Sequence, residues 1–422
     1  MAIYSEQVLD HLCHDVPFAW YLRDQAAQSP LFRLTDLKTL DERLNGYLRM
    51  ITLAETDGHK PLESLDEEED GYLFVCMWLG IIHQQEEIWQ AAAELATTEA
   101  QSDELASALA WFPPEALHDV LMKLGFSNNP WLRRATLKYA QLRQVRLADV
   151  YLQEKITGTD EPEVLMALEN LAAQSHETRC DLPQIRLNSS AIELATLKVA
   201  YCHQTWDNDT LVAQLLPLMK TDTDNLRELL PLIFSLASPE QVSGWLQQLL
   251  SAQISERLKL YAIGIAGLPQ FIPRLIESMT EPEWAPLAAE ALAFITGIDP
   301  EEDDLSLIHL ELEDREKQKQ LDELQEETWH QRYQRDNQTQ PYEPELPYPD
   351  IAQIQQWWQK NQSNWQPEQR YLAGQRCDES GLRQVFISGN QQQRALAALY
   401  LKRLCPDQPM PNVTAPAWIQ QV

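Results

Sequence analysis

Residues 239–250 read PEQVSGWLQQLL, and their apolar members Val242, Trp245, Leu246, Leu249 and Leu250 fall at i, i+3, i+4, i+7 and i+8. That spacing puts all five on one face of a 3.6-residue helix and does not fit the period-two pattern of a strand. Pro239 opens the segment, where a helix has no use for its first N–H groups. Outward from it the same stripe recurs, upstream as Leu211, Val212, Leu215, Leu216 and Met219 and downstream as Phe271, Ile272, Leu275, Ile276 and Met279. First helices are expected near Pro130, Glu161, Ser190, Asp222, Ile254 and Glu283, and second helices near residues 146, 208, 239 and 268. The second helix due near 183 reads as short or irregular. Pro130, Pro162 and Pro282 also stand near expected helix starts. The period is about thirty residues, and one hairpin of that size cannot bury its stripe alone, whereas stacked neighbours can. The expected fold is all-α: an α-solenoid of HEAT-like two-helix repeats over residues 126–299, with helical modules on both sides.

The flanks differ in character. Residues 1–125 read as a helical N-terminal region, with a first helix from Ser5 to Gln28 that Pro17 can kink or split. A second helix follows Thr35 and Asp36 as capping residues, with Leu37, Leu40, Leu44 and Leu48 on its stripe. Residues 300–349 begin with the acidic run Glu301-Glu302-Asp303-Asp304, continue through a charged stretch from Glu311 to Glu327, and end in a linker carrying Pro341, Pro344, Pro347 and Pro349. Residues 350–422 read as a C-terminal helical module whose last helix spans Gln391 to Leu404.

Composition narrows the function classes. The chain has 422 residues, too many for one compact core, and only 13 glycines, which disfavours a fold built on tight turns. Asp and Glu number 64 against 33 Lys and Arg, a net charge of −31. Such a surface repels phosphate backbones and anionic lipid, so neither nucleic acid nor membrane is expected as a partner. The acidity suits either solubility alone or a partner with a basic protein surface. No stretch approaches a membrane span of about 20 apolar residues, and no secretory signal is visible at the start. The six cysteines (Cys13, Cys76, Cys180, Cys202, Cys377, Cys405) contain no CxxC pair and read as reduced core thiols of a cytoplasmic protein.

The chemical constellations are weak. His11 and His14 share a helix face beside Cys13, but no second ligand pair lies at zinc spacing. Asp66, Glu68, Asp70 and Gly71 mimic the opening of a calcium loop, yet its twelfth position is Met77, where a bidentate Glu is needed. Cys202 and His203 are neighbours, which on a helix point about 100° apart, and Cys202 continues the stripe of Ile192, Ala195 and Val199. Neither a cofactor, a metal nor a catalytic residue is expected. Trp131, Trp245 and Trp284 occupy repeat positions and read as packing residues. Trp357 and Trp358, with Trp365 and Trp329, flank the polar linker, and Trp357 and Trp358 are the candidate partner-binding residues.

Several patterns taken together are similar to a family of HEAT-repeat-containing proteobacterial proteins encoded beside type VI secretion genes. They are Ala19-Trp20-Tyr21-Leu22-Arg23-Asp24 followed by Leu40-Asp41-Glu42-Arg43-Leu44; Glu283-Trp284, Glu290-Ala291 and Ile295-Thr296-Gly297-Ile298-Asp299; and Leu346-Pro347, Trp357-Trp358, Arg370-Tyr371-Leu372-Ala373-Gly374 and Ala415-Pro416-Ala417-Trp418. The long acidic, Gln-rich insert departs from the pattern. The resemblance implies a cytoplasmic protein with no agreed enzymatic activity whose gene neighbours often include spike, tip and effector genes. The expected function is a non-enzymatic adaptor that loads an effector or assembles the secretion spike, with a basic effector or a spike component as partner. The alternatives are an immunity protein that sequesters a toxic effector and a helical-repeat enzyme such as a glycosylase or bilin lyase.

Overall fold

A computed structural model describes residues 6–57, 59–178, 189–221, 225–307 and 342–420, with the single positions 182, 185 and 187. The expected charged stretch from Glu311 to Glu327, Trp329, Cys180 and the first part of the expected linker lie outside the described residues. Among the described residues the fold is all-helical apart from one two-residue hairpin. Packing divides the chain into two units: residues 1–205 with 390–422, and residues 206–389.

The first unit begins with α1 (Glu6–Gln28) and α2 (Leu34–Thr56), packed as an antiparallel pair. Pro17 does not split α1, because Val16, Ala19 and Trp20 around it are buried in the core and hold the helix through the missing N–H. α2 starts one residue before Thr35. Asp36 does not precede the helix but reaches back, accepting the Arg33 N–H at 2.8 Å. Next come α3 (Tyr72–Ile82), α4 (Glu86–Leu95), α5 (Glu99–Ala110), α6 (His118–Gly125), α7 (Pro130–Arg143), α8 (Asp149–Ile156), α9 (Glu161–Ala173) and α10 (Ser190–Cys202). α7, α9 and α10 start where the periodicity placed them, each behind a side-chain cap: Asn129, Asp160 and Ser189 accept N–H bonds from the first turn.

Helices stack in sequence order here, α5 on α7, α7 on α9 and α9 directly on the next helix α10, while α6 and α8 pack on α7 and α9 as their hairpin partners. Polar staples join positions about one repeat apart. Ser102 donates to the Trp131 carbonyl at 2.9 Å, Asn170 to the Leu137 carbonyl at 2.9 Å, and Arg133 grips both Glu163 oxygens at 2.8 and 3.0 Å. Each satisfies a group that burial between helices would otherwise leave costly.

The second unit holds α11 (Asn208–Thr221), α12 (Leu226–Ser235), α13 (Pro239–Ser251), α14 (Glu256–Ala266), α15 (Ile272–Ser278) and α16 (Ala285–Thr296). Here α12 packs on α14 and α14 on α16, with α11, α13 and α15 as their partners. α13 is the helix read from residues 239–250, and Ser238 and Gln241 form a capping box ahead of it. α14 and α16 begin two residues later than expected because the chain first satisfies their starts: Ser255 accepts the Leu258 N–H at 3.3 Å, and Trp284 precedes Pro286 in the first turn of α16. The helix expected near 268 is broken into a 3₁₀ turn at Pro269–Phe271 and the short α15.

The end of the expected linker is not an extended spacer. Glu343 is fully buried and ion-paired with Arg257 of α14, and the Tyr348 hydroxyl donates to the Pro282 carbonyl at 2.9 Å. Ser306 and Pro349 form a bridge, and the Leu307 N–H reaches the Tyr348 carbonyl at 2.9 Å. Leu346 and Tyr348 supply the apolar surface that composition alone masks behind four prolines. α17 (Ile351–Asn361) follows with Asp350 as its cap, then β1 (Tyr371–Leu372), β2 (Gln375–Arg376) and α18 (Glu379–Ser388).

The chain then returns to the first unit as α19 (Gln391–Leu404), with a capping box of Asn390 and Gln393. Residues 350–422, read from sequence as one module, thus contribute to both units. Lys402, 2 % exposed, explains part of the return: its ammonium donates to the carbonyls of Gln174, Pro406 and Gln408 at 2.6, 2.7 and 2.9 Å.

Candidate partner-binding surface

Trp357 and Trp358 lie on α17, whose inward stripe is Ile351, Ile354, Trp357, Trp358 and Asn361. Only Ile354 is fully buried, and the remaining positions outside the stripe are exposed amides, Ala352 and Lys360. Both indoles are half-buried and stack with centroids 6.4 Å apart at 28°. α17 packs on α15, which accounts for the covered part.

Trp365 belongs elsewhere. Its ring meets Tyr371 edge-on at 4.8 Å and 75°, at the foot of the hairpin. The hairpin itself closes the C-terminal ends of three stacked helices. Arg370 donates to the Phe234 carbonyl at the end of α12 and to the Ile265 and Ala266 carbonyls at the end of α14. The Ala373 and Gly374 N–H groups reach Phe294 and Ile295 of α16 at 2.7 and 3.0 Å. A guanidinium on orphan carbonyls at helix C-termini is favoured by both hydrogen bonding and the helix dipole.

The acidic run lands near α17. Glu301, Glu302, Asp303 and Asp304 form an exposed turn, closed by the Leu305 N–H on the Pro300 carbonyl at 2.8 Å. Leu305 in turn accepts the Asp350 N–H at 2.7 Å, directly before α17. At 1.5 Å per residue, Trp357 lies about 9 Å along the helix axis from its first residue. The exposed acidic turn therefore adjoins the start of the helix that carries Trp357 and Trp358. The sequence named both features but gave no signal that they meet, since the joining contacts are backbone bonds at Leu305 and Ser306.

The weaker constellations resolve as core or cap. Cys13 is buried with its thiol on the Pro61 carbonyl at 3.5 Å, while His11 and His14 are exposed. No group of three or more His, Cys, Asp or Glu able to hold a metal occurs among the described residues. The calcium-like run ends at Gly71, in the left-handed region at φ 95°, and its N–H and that of Leu73 donate to the Glu104 carboxylate at 3.2 and 3.1 Å. Burial raises Glu104 to about 7 against these N–H donors. Cys202 is wholly buried, which pushes its thiol up to about 11, and the His203 ring bonds the Leu171 carbonyl at 2.7 Å. Five cysteines are described and all are free thiols.

One feature escaped the sequence reading altogether. A pocket of about 370 Å³ opens in the first unit among α6, α7 and α8, with Met122 and Phe126 on the α6 side, Thr136 and Tyr139 on α7, and Arg146 and Tyr151 on the α8 side. Met122, Phe126 and the neighbouring Val150 are large apolar side chains that stay 49 %, 64 % and 81 % exposed. Exposure of apolar residues at a helix junction has no sequence signal, because the same residues would read as core.

No helix among the described residues is long and apolar enough to cross a membrane. No family model matches the chain, and no curated protein and no solved structure is significantly similar to it.

Proposed function

We propose that this chain is a non-enzymatic protein-binding adaptor, built as a HEAT-type solenoid, that works in the cytoplasm with a type VI secretion system to load an effector or assemble the spike. The stacking of helices in sequence order within each unit, alternate ones except for α9 on α10, supports the solenoid reading. The observation that carries the binding function is the acidic turn at Glu301–Asp304 held beside the helix that presents Trp357 and Trp358. The partner it fits carries a basic contact surface. Exposed carboxylates steer such a surface into encounter, and the indoles then hold it by losing their remaining water contact.

The two roles separate kinetically. With the partner recovered from the native host, raising salt from 50 to 500 mM should slow association strongly and change dissociation little. Trp357→Ala with Trp358→Ala should do the reverse, speeding dissociation by about tenfold or more. A contact surface that is itself acidic, or association indifferent to salt, rules the reading out. The same charge also suits an immunity protein against a basic toxin. Deleting the gene distinguishes them: loss of secretion with normal survival supports the adaptor, and self-intoxication supports immunity.

A further inference from the structure

The pocket in the first unit points to a small-molecule site independent of the partner surface. We propose that it binds an amphipathic organic anion: an aliphatic or aromatic body with one carboxylate-type head held by Arg146.

Size and lining fix the body. A volume of about 370 Å³ is within the range of small-ligand sites, and the wall is built mainly from Leu121, Met122, Phe126, Ala140 and Val145. Phe126 and Tyr151 meet edge to face at 6.3 Å and form a rigid aromatic side. Met122 and Phe126 sit at the opening with much of their surface in water, a cost that an apolar occupant removes.

Charge fixes the head. Arg146 is the one charged side chain among the described residues that line the pocket, and no Asp or Glu lines it. In a chain with 64 carboxylates against 33 cations, an apolar cavity lined by the Arg146 guanidinium and the His118 imidazole but by no carboxylate selects an anion. Arg146 is available for this. It is 58 % exposed, and its two ion pairs, to Asp149 at 3.8 Å and Glu177 at 4.0 Å, are too long to be hydrogen bonds.

The test compares three ten-carbon probes by calorimetric titration of the full chain: decanoate, decanol and decylammonium. Decanoate should bind saturably at one per chain and at least tenfold tighter than decanol, with decylammonium weakest. Arg146→Gln should bring decanoate to the level of decanol and leave decanol unchanged. Ala148→Trp, at an exposed position on the pocket rim, should weaken decanoate and decanol alike by about tenfold or more. Both positions are exposed, and an unchanged circular dichroism spectrum verifies that the variants fold. Equal affinity for all three probes, tighter binding of decylammonium, an unaffected Arg146→Gln, or no saturable binding below 1 mM overturns the proposal.

Discussion

The Arg23 guanidinium meets the Asp41 carboxylate at 2.8 Å, with both side chains almost wholly removed from water. The same pair anchors the end of the chain. Arg23 donates to the Thr414 and Ala415 carbonyls, both at 2.6 Å, and Asp41 accepts the Ala417 N–H at 2.5 Å. Trp418 then sets its ring against Trp111 at 4.6 Å. Arg23 and Asp41, 18 residues apart, and Ala415, 392 residues beyond Arg23, are therefore one buried polar node.

Removing one member of that node should be costly. Asp41→Ala leaves the Arg23 charge buried without its carboxylate and is expected to lower stability by about 3–5 kcal/mol. Arg23→Met with Asp41→Leu should recover part of the loss. Chemical unfolding followed by tryptophan fluorescence measures both, and limited proteolysis should show residues 412–420 cut first in Asp41→Ala. A loss below about 1 kcal/mol in Asp41→Ala contradicts the assigned role.

At Gly267 the backbone has φ 67°, and an added Cβ would stand 2.2 Å from the Tyr371 carbonyl oxygen. Gly267→Ala therefore combines left-handed strain of about 1 kcal/mol with a backbone clash that displaces the hairpin. The expected loss exceeds 2 kcal/mol, visible as a lower urea midpoint. Gly244, which has open space at its Cβ position within α13, is the control, and Gly244→Ala should stabilise by about 0.5–1 kcal/mol. Equal effects at the two sites would show that the hairpin does not clamp the end of α14.

Glu104 gives a pH signature with a definite sign. Its folded pKa of about 7 exceeds the ordinary 4.5, so the folded state holds the proton more tightly. The resulting stability is complete below pH 4.5 and is lost as pH rises through 7. Glu104→Gln keeps an acceptor for the Gly71 and Leu73 N–H groups and stays neutral. It should be more stable than the parent by about 3 kcal/mol at pH 8 and nearly equal at pH 4. Glu290, also raised to about 7 by burial, adds to the same window in the parent, so the difference between the two proteins isolates Glu104. Thermal melts across pH 4–8 with a constant difference would count against the shift.

Glu343 tests the reassigned linker. Glu343→Ala removes the carboxylate facing the fully buried Arg257 and should cost about 3–5 kcal/mol. Glu345→Ala, two residues on and exposed, should change stability by less than about 0.5 kcal/mol. If both are neutral, hydrogen exchange at Leu346 and Tyr348 should also be fast, and the segment is a spacer after all.

The sequence by itself determined the helices. Val242, Trp245, Leu246 and Leu249 must share a face because 3.6 residues make a turn, and Pro130, Pro162 and Pro239 mark starts because a first turn has no use for the N–H they lack. The thirty-residue rhythm and the core role of Cys202 were legible for the same local reason, whereas Cys377 and Cys405, also read as core thiols, are only partly buried. What only the tertiary structure decided depends on partners far along the chain. Glu343 looks like any acidic residue among prolines until Arg257 lies opposite it. Arg23 and Asp41 are ordinary helix residues until Ala415 and Ala417 close over them. The pocket exists only because α6, α7 and α8 meet without filling the space between them. Periodicity is a property of neighbours in sequence, whereas a buried charge, a clasp or a cavity is a property of neighbours in space, and no local rule encodes the second.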